Sequence, residues 1–269
     1  MQEKIKKRIE LIAILILCAI TLVLDFLSIP YLKNEIRNAF LNNIIQQTCG
    51  AVAVLLLIHK LQLKLFGKPQ ALLYLIPCII VAIDNFQFYA YFSGKMQLVH
   101  SQPIDFLLFG LNCFTVGLFE EGIFRGILFS VLAGVFTQDK KGLWKTYIYS
   151  SVIFGLAHLF NGISAATILQ VGYTTLTGGL FAFVLLKTKN ILCCVFVHGL
   201  YNFCGLLFDV PARMGLGTGA VIDLGTAITM AIVSILAIIF VLRAVYKYSE
   251  EERMVLYEKL AIPSKNQEK

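Results

Sequence analysis

The sequence predicts an all-α fold, a polytopic transmembrane helix bundle of about eight spans with cytoplasmic N- and C-termini. Three observations carry this: an apolar composition, apolar stretches of membrane-crossing length, and a one-sided distribution of Lys and Arg. Of 269 residues, 58% are hydrophobic and only 14% charged, too few charges to cover the surface of a soluble domain. Stretches of roughly 17 to 25 residues with almost no charge match a helix crossing about 30 Å of hydrocarbon.

The first span, 9–30, follows Lys4, Lys6, Lys7 and Arg8. Its apolar stretch is too long for a secretory signal and no small-x-small cleavage site follows, so it reads as a retained helix. The second and third, 40–59 and 71–92, are separated by Gly67-Lys68-Pro69. The fourth, 104–136, is long enough to contain a break. Thr137 to Gly142 leads into the fifth, 146–161, followed by 164–186 and 190–208; Pro211 to Gly219 precedes the last, 221–243. No internal repeat divides the chain, so 1–248 reads as a single transmembrane helical domain. Residues 249–269 form a charged cytoplasmic tail, expected to be a short helix that frays.

The net charge of +7 would suit nucleic acid, but its placement suits a membrane. With the N-terminus inside, eighteen of the 23 Lys and Arg fall on inside segments. Lys33, Arg37, Lys95 and Arg213 fall outside, and Arg125 lies within a span. That is the positive-inside bias, and nucleic acid is not an expected partner. The seven cysteines, Cys18, Cys49, Cys78, Cys113, Cys193, Cys194 and Cys204, lie in or beside apolar spans without CxxC spacing, and read as small core residues. Small residues concentrate in the second half, among them Gly155, Gly172, Gly178 and Gly179, which predicts close helix packing there.

A charge near the bilayer centre costs about 2.5–3.5 kcal/mol on insertion scales, so each one needs a reason. Those present are Glu120, Glu121, Arg125, His158, His198 and Asp84. Glu121 and Arg125, at i and i+4, share a helix face; Glu120 points about 100° away, free for proton transfer. A buried pair that only pins helices would explain Glu121 and Arg125 but not Glu120. Phe154 and His158 again share a face, where a histidine is either a hydrogen-bonded core residue or a catalytic one. His198 and Asn202 project together, as two donors for a developing oxyanion or as polar glue between helices. The whole set suits water-activated amide hydrolysis with Glu120 as general base and His158 helping to hold the water.

These residues resemble the CPBP family of intramembrane glutamate proteases, which groups CAAX prenyl endopeptidases with bacteriocin-processing and immunity proteins. The family's E-E-x-x-x-R stands here as Glu120-Glu121 to Arg125, its F-x-x-x-H as Phe154 to His158, and its H-x-x-x-N as His198 to Asn202. The resemblance covers roughly residues 105–210, giving a catalytic core at about 104–210. It implies that Glu120 and His158 activate the hydrolytic water and that His198 and Asn202 form the oxyanion hole. Glu121 and Arg125 are then a supporting pair, and Phe154 packs beside the site. Asp84 falls outside the motifs and reads as a hydrogen-bonded buried acid.

The expected activity is therefore endoproteolysis of a membrane-associated peptide or protein, of CAAX or precursor-processing type, by a multi-pass protein of the plasma membrane. No cofactor is expected and no metal ligand is assigned. Zinc is the rival chemistry, since Glu120, His158 and His198 have its ligand types, although H-E-x-x-H is absent. A non-catalytic immunity scaffold or a transporter is the rival class; the missing repeat weighs against transport. Depth adds one expectation: His158 lies level with His198 if its span starts near Ser150, or if the helix there is broken or tilted.

Overall fold

A computed structural model of the protein describes residues 29–96, 102–208 and 224–262. Every regular element among them is helical, the expected helical membrane bundle. Helix α1 spans Glu35–Lys60; α2, Leu75–Asp84, follows a 3-10 turn at Leu72–Tyr74; α3 spans Phe88–Phe92. Helix α4, Pro103–Glu121, runs through a π-helical segment, Gly122–Leu128, into α5, Phe129–Val135. Helix α6, Lys140–Ala157, ends in a 3-10 turn at His158–Asn161; then come α7, Ala165–Thr188, α8, Ile191–Leu206, α9, Leu224–Tyr246, and α10, Glu250–Lys259.

Among the described residues, Glu35–Lys60, Thr167–Thr188 and Leu224–Tyr246 are long and apolar enough to cross a membrane. On α9 the large side chains Ile228, Ile232, Ile235, Leu236 and Ile239 are exposed, an arrangement that water penalises and lipid accepts. Most of the expected first span lies outside the described residues.

Three expectations about helix boundaries change. The stretch 71–92 is not one helix: α2 stops at Asp84, and Gln87 takes a left-handed conformation (φ 61°) before α3. Apolar composition permits a crossing but does not enforce unbroken helical hydrogen bonding. The fourth stretch does not break; it absorbs its irregularity as seven π-helical residues. The fifth helix starts at Lys140, because Asp139 caps it by accepting from Gly142 N at 2.8 Å. That capping bond, with one from Thr137, holds the Asp139 carboxyl below its usual range.

The chain forms two compact units. The first comprises the described parts of Met1–Leu57, Ile79–Glu120 and Val195–Ala237. In it α1 and α4 run parallel, since their contacts keep a nearly constant offset along both helices: Arg37 pairs with Asp105, Phe40 meets Phe109, and Asn43 bonds Asn112. Phe40, Phe109, Cys113 and Leu207 form its buried core, with Phe86 and Phe203 packed against them.

The second unit comprises Ile58–Cys78, Glu121–Cys194 and the described part of Ile238–Lys269. Its α6 and α7 approach closely, as the small residues predict. A Cβ on Gly155 would stand 2.0 Å from Thr175 Oγ1 and 2.8 Å from Val171 O. Helix α10 closes this unit. Ser249 and Glu252 form a reciprocal capping box at its start. Glu252 binds Lys187 at 2.7 Å, Arg253 donates to Gln138 O, and Lys259 O accepts from Lys64 N. Lys189, in the link between α7 and α8, donates to the Tyr248 hydroxyl at 2.6 Å; burial lowers its pKa to about 8.

Candidate active site

The seven residues singled out by the sequence fall into two groups, one in each unit. Glu120, His198 and Asn202 belong to the first. Helix α4 carries Glu120 in its last turn and packs on α8 through two glycines. A Cβ on Gly117 would lie 3.2 Å from Val195 O and 3.6 Å from His198 Cβ. One on Gly199 would lie 2.5 Å from the Phe114 ring. This close approach puts Glu120 Oε2 3.8 Å from His198 Nε2. The separation is too long for a direct hydrogen bond and short enough for both groups to meet one small reacting group.

The two side chains differ in access, since His198 is 5% exposed and Glu120 28%. Asn202, half-buried, follows one helical turn after His198. Sequence reasoning missed Asn85, whose Nδ2 donates to Tyr201 O at 3.0 Å and packs where Gly205 has no side chain. It ties the chain after α2 to the turn bearing Asn202. Its neighbour Asp84 carries a charge that is conspicuous in an apolar span, whereas the amide of Asn85 carries none.

Glu121, Arg125, Phe154 and His158 belong to the second unit. Glu121 and Arg125 are wholly buried, with Arg125 Nε 3.2 Å from Glu121 Oε2. Arg125 Nη2 donates to Gly178 O at 2.9 Å, and the guanidinium lies 4.6 Å from the Phe154 ring centre and 5.7 Å from that of Phe181. Carboxylate, carbonyl and aromatic faces together offset the desolvation of the cation. Both residues flank or occupy the π-helical segment Gly122–Leu128, a backbone irregularity found often at functional sites.

Phe154 links this buried pair to the histidine. Its ring stands edge-on to Phe124 at 5.0 Å and lies 5.3 Å from the His158 ring. His158 Nδ1 lies 3.0 Å from Phe154 O. A carbonyl only accepts, so Nδ1 is the donor of this bond, which leaves Nε2 to face away from Phe154 O. The half-buried imidazole sits where α6 gives way to the 3-10 turn. Irregular backbone therefore does occur at His158, while the helix leading to it begins ten residues before Ser150.

No group of three or more His, Cys, Asp and Glu side chains suited to holding a metal occurs among the described residues.

Residues 102–204 match the family model of the Rce1-like type II CAAX prenyl endopeptidases. The chain is also similar to CAAX prenyl protease 2 of Saccharomyces cerevisiae, 30% identical over an aligned length of 111 residues that covers 36% of this chain and 35% of that protein. It thus spans about a third of that curated relative's length. No solved structure matches. The stretch matched by the family model contains the three motifs, and both comparisons support the CPBP/CAAX protease family.

Proposed function

We propose, from the family to which residues 102–204 point, that the protein is an intramembrane endopeptidase cutting a membrane-associated peptide or protein. The observation that carries this is the facing pair of Glu120 and His198, 3.8 Å apart. A base that activates water and a donor that receives the oxyanion must face the same carbonyl carbon.

In this mechanism Glu120 takes a proton from a water while the water oxygen bonds to the scissile carbonyl carbon; the family resemblance assigns His158, too, to activating that water. The carbonyl π pair moves to oxygen, where His198 Nε2–H and the Asn202 amide donate to it. As the tetrahedral species collapses, the C–N bond breaks and the nitrogen takes the proton from Glu120. The products are a carboxylic acid and an amine, which exchange that last proton to leave a carboxylate and an ammonium group. Glu121 and Arg125 do not react; buried against Gly178 O and Phe154, they fix the backbone after Glu120. No cofactor takes part, and chelators are expected to leave turnover intact; stoichiometric zinc lost together with activity would replace this mechanism with a metal one.

The substrate class we propose is the one named for the relatives, a prenylated C-terminal CAAX segment, with other membrane-bound peptide precursors as the alternative. The test is proteolysis of a membrane-peptide library that includes prenylated and unprenylated CAAX peptides, by wild type and Glu120→Gln in nanodiscs. Cleavage by wild type alone supports the base assignment. Equal cleavage by both variants would remove Glu120 from the reaction, and cleavage by neither would favour a scaffold.

A further inference from the structure

Hydrolysis consumes one water per turnover, and a base within a membrane bundle needs a path by which water reaches it. On the first unit's α1, Asn38 and Asn42 are engaged with the chain that enters the helix: they accept from Leu32 N and Ile29 N, and Asn42 donates to Ile29 O. Asn43 and Gln47, one turn apart, face α4 instead. Asn43 Nδ2 donates to Asn112 Oδ1 at 2.6 Å, and Gln47 Nε2 donates to Asn43 Oδ1 at 3.3 Å.

All donors in this ladder point from Gln47 toward Asn112, which leaves Gln47 Oε1 as its open acceptor. That atom is buried and has no hydrogen-bond partner among the described residues. At the other end, Asn43 and Asn112 line a cavity of about 250 Å³ with Ile36, Ala39, Phe40 and the exposed Glu35. A water needs room and two to four polar partners; the cavity and the amide row supply both.

The parallel register fixes the level of Gln47 along the seam. Asn43 is level with Asn112, and Gly50 is level with Phe119, whose ring a Cβ there would meet at 2.5 Å. Gln47 is therefore level with Val116, one turn or about 6 Å along the axis from Glu120. Around α4, Phe109, Asn112 and Phe119 face α1, while Gly110 and Gly117 face α8. Glu120 falls between these two faces, about 60° from each at 100° per residue.

We propose that the α1–α4 seam is the route by which water reaches Glu120, with Gln47 Oε1 as the positioning group that holds the last water before the base. This rests on the peptidase reading above. Amides serving only as glue between helices would close the ladder; here the end nearer Glu120 stays open, on a residue about one helical turn along the seam from it.

The experiment uses the 269-residue chain in nanodiscs. Gln47→Leu keeps the bulk and removes the acceptor; it is expected to lower kcat roughly tenfold with KM little changed and the unfolding temperature not lowered, and Gln47→Asn to recover most of the loss. In parallel, Gln47→Cys is treated with a water-soluble thiosulfonate, with wild type as the background for native cysteines; labelling above that background is expected. An unlabelled Cys at this position overturns the route whatever the activity. Labelling with unchanged kcat in Gln47→Leu overturns the supply role, and a joint fall of kcat and unfolding temperature makes the ladder structural glue. A wild type that cleaves nothing defeats the peptidase reading, and with it the reaction the seam would serve, while labelling still reports whether water enters.

Discussion

Glu120 and Glu121 are neighbours in sequence and opposites in environment. Glu120 keeps 28% of its side chain exposed and faces His198 across a gap. Glu121 has none exposed and sits against Arg125, itself held by a carbonyl and two aromatic rings. Partial exposure leaves one carboxylate accessible. Full enclosure of the other makes it a fixed point of the scaffold. On the proposed mechanism, the contrast separates the polar residues of the site into those that react and those that hold.

The sharpest way to break that contrast is to exchange the outcomes. Glu120→Gln is expected to lower kcat by about 10²–10⁴, the usual worth of a general base, with the unfolding temperature in detergent unchanged; a folding defect equal to the loss of activity would erase the distinction. His198→Ala or Asn202→Ala should cost about 10²–10³ in kcat if they receive the oxyanion, read from turnover at saturating substrate. For the enclosed pair the expectation reverses. Arg125→Leu removes the cation beside a buried carboxylate and should destabilise by about 3–5 kcal/mol, measured by thermal unfolding, and adding Glu121→Leu should recover part of it. Gly155→Ala forces a shift at Thr175 and should cost about 1–3 kcal/mol of stability by overpacking, with kcat affected less than by any change at Glu120.

The smallest effect concerns Lys189. Its folded pKa, lowered to about 8 by burial, lies below the ordinary 10.5. Between those values the unfolded chain binds more protons than the folded one, so stability rises with pH. The cost of burying the charge is present below about pH 8 and is relieved as pH rises through it. Unfolding midpoints measured from pH 7 to 9.5 should climb in wild type and stay flatter in Lys189→Met.

The helical class was legible from composition, and so was the Glu121–Arg125 pairing, because i to i+4 spacing survives moderate distortion of a helix. Phe154 and His158 met on one face for the same reason. The π-helical turn was not legible: it is a shift in which carbonyl each amide chooses, and no side chain in Gly122–Leu128 announces it. Nor was the break after Asp84, where an apolar run of the right length hides a left-handed Gln87. Asn43, Gln47 and Asn85 escaped notice because uncharged amides carry no conspicuous insertion cost, although their bonds organise the first unit's seams. The Glu120–His198 approach needed Gly117 and Gly199 from two separate helices, a pairing no single stretch displays.

Helix α10 follows in the chain every element it fastens: Lys64, Gln138 and Lys187 all precede it and all wait for its partners. During synthesis, which delivers segments in order, the second unit remains open until α10 has left the ribosome. Until then Lys187 lacks its Glu252 partner and the Lys64 amide its acceptor on Lys259. A chain interrupted before α10 therefore leaves the loop after α1 and the end of α7 without the contacts that fasten them.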